Sequence, residues 1–269
     1  MQPASWLVLN FTLSQDLCER RRFAERKRSR SRSDPSVLVC ALSAERLGWY
    51  AITRVEKPPR CYHLMVVRFV PPCSPVLAQE PPTGPGWLHE VKFDGWRVQI
   101  HKQGERVKLY SRNGKDLADR FSMLRDACLY LPGCVIDGEL VACDTDGRPD
   151  FSAITKDHAN LCIWCFDLLA HEHQDIREKP LVERKAALRD LLIAVDDDRL
   201  RYSEEFADPV KLLQVAGRMG LEGIVSKRKQ APYRSWTRRE WVKLKTSVWR
   251  EANKDRWEMF EKKGRKVSA

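Results

Sequence analysis

The run Lys92-Phe93-Asp94-Gly95-Trp96-Arg97 reads K-x-D-G-x-R, and its lysine is the side chain in this sequence best suited to covalent chemistry. A lysine amine attacks phosphorus only when it is deprotonated and held in line with a leaving group. That demands a cationic, partly desolvated pocket and a metal on the phosphates. Downstream, in order, stand Ser111-Arg112-Asn113-Gly114, Asp137-Gly138-Glu139, Phe166-Asp167-Leu168-Leu169, Glu222-Gly223-Ile224-Val225 and Trp241-Val242-Lys243-Leu244-Lys245.

Each set carries residue types that such a reaction needs. Arg97 and Arg112 have fork-shaped donors suited to phosphate or ribose, although an arginine at a strand end alone reads as a solvated charge. Glu139 and Glu222 are hard oxygen donors that can hold Mg²⁺ or Mn²⁺, directly or through water. Lys243 and Lys245 alternate, so on a strand both ammonium groups point to one face. There they would stabilise charge on an α-phosphate and depress the pKa of Lys92. Asp94 anchors the turn or the lysine, and Gly95 permits close backbone approach. Phe166, on residue type alone, is an ordinary core aromatic.

The ordered set resembles the covalent nucleotidyltransferase superfamily of DNA ligases, RNA ligases and mRNA-capping guanylyltransferases. The nearest resemblance is to the ligase domain of the bacterial end-joining ligase D type and its short stand-alone relatives. Pro71-Pro72 through Pro81-Pro82, Trp87 and Glu90-Val91-Lys92 resemble the entry into that domain, and the resemblance spans roughly residues 66–246. It implies an α+β fold: an ATP-grasp-like nucleotidyltransferase domain with antiparallel sheets flanked by helices. It also implies an ATP-dependent DNA ligase, in which Lys92 takes AMP from ATP, the AMP moves to a DNA 5′-phosphate, and a 3′-hydroxyl seals the nick. By the same resemblance Arg112 meets the 5′-phosphate, Glu139 also meets the ribose, and Phe166 stacks on adenine. Glu90 is a weaker candidate for reading adenine. Competing readings are an RNA ligase, a GTP-using capping-type enzyme, and a non-catalytic DNA-end-binding module. One departure is Trp236, where related domains commonly carry glycine in the loop before the last motif.

These residues need elements to position them. Trp96, Val98 and Ile100 alternate with Arg97, Gln99 and His101, then a turn at Lys102-Gln103-Gly104-Glu105 precedes Val107 and Leu109. That pattern predicts an antiparallel hairpin with one apolar face, with Lys92 and Arg112 at one end of its sheet. Cys134 to Cys143 and Leu161 to Leu169 read as further strands. Leu181 to Val195 reads as a helix with Val182, Ala186 and Leu188 to Ile193 on its apolar side. Asp208 as N-cap, Pro209 in the first turn and Gly220 as the stop predict a second helix that delivers Glu222. Residues 247–269 read as a C-terminal helix and tail, with Trp249, Ala252, Met259 and Phe260 on one face.

Composition sets the frame. Of the net charge of +11, a share of +6 lies in residues 1–64, which hold 12 Lys and Arg against 6 Asp and Glu. The arginine-rich run from Arg20 to Arg32 resists packing, so residues 1–64 are expected to be a disordered basic extension, with Met65 as an alternative start. Residues 65–246 form the expected adenylation domain, and residues 65–269 together are only mildly basic at +5. Nine cysteines without framework spacing fit a reduced, cytoplasmic compartment. Cys162 and Cys165 read as small apolar thiols in a buried strand. His171-Glu172-His173 reads as a polar loop and Asp196-Asp197-Asp198 as a solvated turn. No run reaches the roughly 18 apolar residues of a membrane span, and no secretory leader pattern opens the chain. The expected partners are ATP, Mg²⁺ or Mn²⁺, nicked or broken duplex DNA and a DNA-end-binding protein, with the chain a monomer and no membrane partner. Only 24 residues follow Lys245, too few for a five-stranded OB barrel, so a slow first step is expected.

Overall fold

The computed structural model describes residues 68–143, 149–155, 160–172 and 174–254. The basic extension of residues 1–64, the start at Met65, His173, Met259 and Phe260 lie outside the described residues. In chain order the strands are β1 (Cys73–Leu77), β2 (Trp87–Lys92), β3 (Trp96–Gln103), β4 (Arg106–Ser111), β5 (Cys134–Ala142), β6 (Leu161–His171), β7 (Gln174–Asp175), β8 (Leu200–Tyr202), β9 (Gly223–Arg228) and β10 (Trp236–Lys245). The α-helices are α1 (Ser122–Ala127), α2 (Leu181–Val195), α3 (Pro209–Arg218) and α4 (Ser247–Ala252).

The strands make two sheets. One has the order β1-β10-β9-β2, the other β4-β3-β5-β6-β7 with β8 also paired to β6. Most pairs are antiparallel, as expected, but β1 runs parallel to β10 and β8 parallel to β6. Parallel partners need a long connection. Between β1 and β10 that connection contains the whole second sheet.

The hairpin β3–β4 turns at Gly104 and Glu105, with Gln103 paired to Arg106 and Gly104 at φ +53°. This is the two-residue turn that glycine permits. Its apolar side, Val98, Ile100 and Leu109, joins Ile136, Leu140, Ile163 and Leu168 in the main core under α1 and α2. The other side is not a solvated face. Gln99 is buried and exchanges hydrogen bonds with the backbone of Val70 at 3.0 and 3.1 Å. The reason is the first sheet, which covers this side. Val70, Cys73, Val135, Phe166, Leu169, Tyr233 and Trp241 form a second core between the sheets.

Helix α2 spans the residues expected of it, but with a different buried face. Leu181, Arg184, Lys185, Leu188, Leu191 and Leu192 are buried, whereas Ala186 is exposed and Val182 only half-buried. Arg184 and Lys185 can be inside because each has a carboxylate waiting on a strand. Helix α3 begins as read: Asp208 accepts from the backbone N–H of Val210 and Lys211, both at 3.0 Å. Gly220, at φ +69°, ends the helical segment. Helix α4 starts on a Thr246 cap and buries Trp249, while Ala252 is exposed. Among the described residues no helix is long and apolar enough to cross a membrane.

Candidate active site

Strand alternation in the first sheet explains why Lys92, Lys243 and Lys245 gather. In β9, Gly223 lies opposite both Lys92 of β2 and Lys245 of β10, and Val225 lies opposite both Glu90 and Lys243. Residues two apart share a face, so Glu90, Lys92, Val225, Lys227 and Lys243 all border one cleft. Glu222 does not ride on the strand. It stands one residue before β9, where both lysine-bearing strands reach it. Its Oε2 accepts from Lys92 Nζ at 2.5 Å and its Oε1 pairs with Lys245 at 3.0 Å.

Two motif glycines make this convergence possible. A Cβ on Gly223 would sit 1.8 Å from the carbonyl oxygen of Leu244, and one on Gly95 would sit 2.2 Å from that of Leu140. Neither approach is open to any other residue. Gly95 therefore presses the loop after Lys92 against β5, and the stacked rings of Phe93 and Trp164, 4.3 Å apart, hold it there.

The second sheet supplies the opposite wall. Arg97, Glu139 and Phe166 face the cleft, with Arg112 at its rim and Pro72, Ser74 and Pro75 along its lip. The cleft encloses about 270 Å³. Arg97 is already engaged: Nε and Nη2 each donate to Asp137 at 2.7 Å, and its guanidinium lies 4.5 Å from the Phe166 ring. It supports Phe166 more directly than it could clamp a phosphate. Lys227 Nζ lies 4.5 Å from the same ring. Arg112 is exposed and, among the described residues, hydrogen-bonds only Ser74 Oγ, at 3.5 Å.

The charges differ in what they have available. Glu90 is buried and spoken for: Lys185 pairs with it at 2.8 Å, Lys227 at 2.9 Å and Ser203 Oγ donates at 3.0 Å. Burial pushes its carboxyl up, but the two lysines outweigh that and hold it below the usual range. Glu90 therefore braces the cleft wall that it lines, with its carboxylate engaged by protein partners. Glu139 is the opposite case. It has no hydrogen-bond or ion-pair partner among the described residues, and burial pushes its carboxyl up to about 7. Burial lowers the pKa of Lys243, and Lys92 and Lys245 push it the same way; burial also lowers that of Lys245, against Glu222. Asp94 is close enough to act on Lys245 electrostatically.

Not every residue expected at the site lines the cleft. Lys92, Glu90, Arg97, Arg112, Glu139, Phe166 and Lys243 do, whereas Glu222, Lys245 and Asp94 do not. The two carboxylates expected to share a metal are thus unequal: Glu139 has a free carboxyl in the cleft, while both oxygens of Glu222 hold lysines. No three His, Cys, Asp or Glu side chains converge among the described residues. A partnerless carboxyl in a cationic cleft nonetheless fits Mg²⁺ or Mn²⁺ of the kind held by one protein carboxylate, substrate phosphates and water. Lys227, Tyr233 and Arg184 were not singled out from sequence, and Asp137 stood in its motif without a role of its own. Lys227 stands two residues beyond Val225, so alternation alone places it on the cleft face. The thiols of Cys162 and Cys165 are buried and free, as read.

Comparison with known proteins agrees with this geometry. The family described as ATP dependent DNA ligase domain matches residues 78–245. The multifunctional non-homologous end joining protein LigD of Pseudomonas aeruginosa is 40% identical over 180 residues, 64% of this chain and 21% of that protein. The SPbeta prophage-derived DNA ligase-like protein LigB of Bacillus subtilis is 32% identical over 185 residues, 65% of this chain and 67% of that protein. Among solved structures, the ligase domain of M. tuberculosis LigD superposes with a TM-score of 0.55 at 26% identity, covering 65% of this chain and 60% of that one. A mycobacterial DNA ligase D complexed with ATP and MES gives 0.54, also at 26% identity, covering 64% and 60%. The chain therefore spans about a fifth of the Pseudomonas protein and about two thirds of the Bacillus one.

Proposed function

We propose, from the premise that this chain belongs to the ATP-dependent DNA ligase domain family, that it transfers AMP from ATP to Lys92 and then to the 5′-phosphate at a break in duplex DNA. The observation that carries this reading is Lys92 itself. Its amine stands on the wall of a cationic cleft with a single carboxylate oxygen 2.5 Å away and Lys243 beside it.

The amine nitrogen bonds to the α-phosphorus, the bond from that phosphorus to the bridging oxygen breaks, and pyrophosphate leaves. The ammonium proton passes first to Glu222 Oε2, the acceptor already in contact. Lys243 lines the cleft beside Lys92 and faces the charge that builds on the α-phosphate. Phe166 and Val225 offer the base a flat ring and a branched apolar side chain. Glu139 would hold the Mg²⁺ or Mn²⁺ that comes with the nucleotide and neutralises its phosphates. Arg112, exposed at the rim, would meet the 5′-phosphate of the DNA. The relative's name puts end joining forward as the setting; a DNA-end-binding protein as partner and the cytoplasm as compartment complete the proposal.

Incubation of the purified chain with α-³²P-ATP and Mg²⁺ or Mn²⁺, followed by a denaturing gel, tests the reading. Label should appear on the protein and vanish in both Lys92→Ala and Lys92→Arg. Label retained by Lys92→Arg would displace the nucleophile. Label from GTP in place of ATP would indicate a capping-type enzyme, and sealing of RNA but not DNA an RNA ligase. Binding of DNA ends with no label at all would leave a non-catalytic module.

A further inference from the structure

Trp236 holds a backbone conformation that a bulky residue rarely adopts. Its φ is +71°, and it is one of three non-glycine residues with positive φ among the described residues. The other two, Glu172 and Asp196, are turn-forming or polar; an indole there is an outlier. Its side chain is also 67% exposed. An exposed tryptophan adds nothing to a core, and its backbone carries strain that glycine would not. Strain kept at a surface position points to a use for the side chain.

The location says what the use is. Trp236 begins β10 on the lip of the cleft, where its N–H donates to the carbonyl of Pro72 at 3.0 Å. It lies opposite Cys73, and the next pair along is Ser74 with Thr237. Ser74 is the residue that receives Arg112. Beyond it, Thr237, Arg238, Arg239 and Glu240 are all exposed. Arg112, Arg238 and Arg239 have no carboxylate partner among the described residues. The lip is thus an aromatic ring set among arginines that no carboxylate of the described residues neutralises, with Glu240 as the one acid in the stretch. Aromatic faces between backbone-binding cations are how proteins hold nucleic-acid strands without reading sequence.

We infer that Trp236 is a stacking platform for a nucleobase exposed at the DNA break, next to the 5′-phosphate that Arg112 takes. This rests on the ligase reading above and adds to it a residue that fixes the strand but takes no part in adenylyl transfer. Base–aromatic stacking is worth ~1–3 kcal/mol per base, so loss of the ring should weaken binding about tenfold, the equivalent of ~1.4 kcal/mol.

The test uses the full chain, pre-adenylated, with a 5′-phosphorylated nicked duplex followed by fluorescence anisotropy. Trp236→Gly removes both ring and strain; Trp236→Phe keeps a ring. The expected result is about tenfold weaker binding for Trp236→Gly, affinity within about threefold of the parent for Trp236→Phe, and a thermal midpoint for Trp236→Gly no lower than the parent's. Labelling of Lys92 by ATP should be unchanged in both. Equal binding by Trp236→Gly overturns the inference, and so does equal loss in both variants, since a ring would then not be what matters. Failure of the parent chain to label Lys92 would instead sink the ligase reading, and it is scored in a reaction without DNA.

Discussion

Substituting Gly223 by alanine tests whether strand approach, and not merely the presence of the lysines, makes the site. The new Cβ would lie 1.8 Å from the carbonyl oxygen of Leu244. Carbon and carbonyl oxygen come no closer than ~3.3 Å, so β9 and β10 must part by about 1.5 Å at this point. The backbone cannot absorb that locally, because Gly223 is paired with Lys92 on one side and Lys245 on the other. Glu222, one residue earlier, would lose its reach to at least one of the two lysines. A displacement of ~1 Å in a catalytic group costs on the order of 10²-fold in rate, so single-turnover labelling of Lys92 should fall by at least ~100-fold. Far-ultraviolet circular dichroism should be retained, since the main core under α1 and α2 lies in the other sheet. The assay is quenched-flow labelling with ATP at saturating metal, alongside thermal unfolding. Labelling within about threefold of the parent, in a folded variant, would refute the argument that this contact positions Lys92.

The titration of Glu139 gives the second expectation. Its carboxyl is raised to about 7, chiefly by burial, so it is ionised and able to hold a cation only as pH rises through 7. Labelling at limiting Mg²⁺ should climb with pH and level off above about 7, and Glu139→Gln should flatten that profile. The sign for stability is opposite: with the folded pKa above the unfolded one, this group's contribution is lost as pH rises from about 4.5 to about 7. Glu139→Gln should therefore be no less stable than the parent at pH 8, by urea denaturation. Arg184 gives the third. It is fully buried, donates to Asp167 at 2.7 and 2.9 Å and also reaches the carbonyls of Ala231 and Lys179. Arg184→Met leaves Asp167 buried and unpaired, at a cost of ~3–5 kcal/mol, which should lower the thermal midpoint by roughly 10 °C.

What the sequence made legible was local. Alternation along β3 and β4 set the hairpin, Asp208-Pro209 set the start of α3, and residue spacing put Lys243 and Lys245 on one face. What it hid was set by partners far along the chain. Arg97 was read as a phosphate donor because nothing nearby balanced it; its partner Asp137 is 40 residues on. Arg184 and Lys185 stand outside the apolar side read for α2, and the carboxylates that let them in, Asp167 and Glu90, are on other elements. Glu90 was read toward the base for want of Lys185 and Lys227. Glu222 was placed on a strand by its motif, whereas its reach to two lysines comes from a strand pairing that no local pattern specifies. Trp236 was legible as a departure from glycine, and its positive φ is the physical content of that departure.

The buried ion pairs share a logic that stability alone does not supply. Replacing such pairs with well-packed apolar residues is often neutral or stabilising, so their retention asks for another reason. Each carboxylate adjoins a residue of the cleft along its own strand: Glu90 is two residues before Lys92, Asp137 two before Glu139, and Asp167 follows Phe166. Each is held by a cation from a different element, namely Lys185 of α2 and Lys227 of β9, Arg97 of β3, and Arg184 of α2. A leucine contact tolerates sliding along a strand. A two-pronged arginine–carboxylate pair does not, because both hydrogen bonds lengthen together when either partner moves. The strands that carry Glu139 and Phe166 are thus pinned in register by arginine pairs, and the strand that carries Lys92 is held by two lysines on one carboxylate. An apolar core would keep those strands together while leaving their relative height loose, and in-line transfer to a single amine tolerates little looseness.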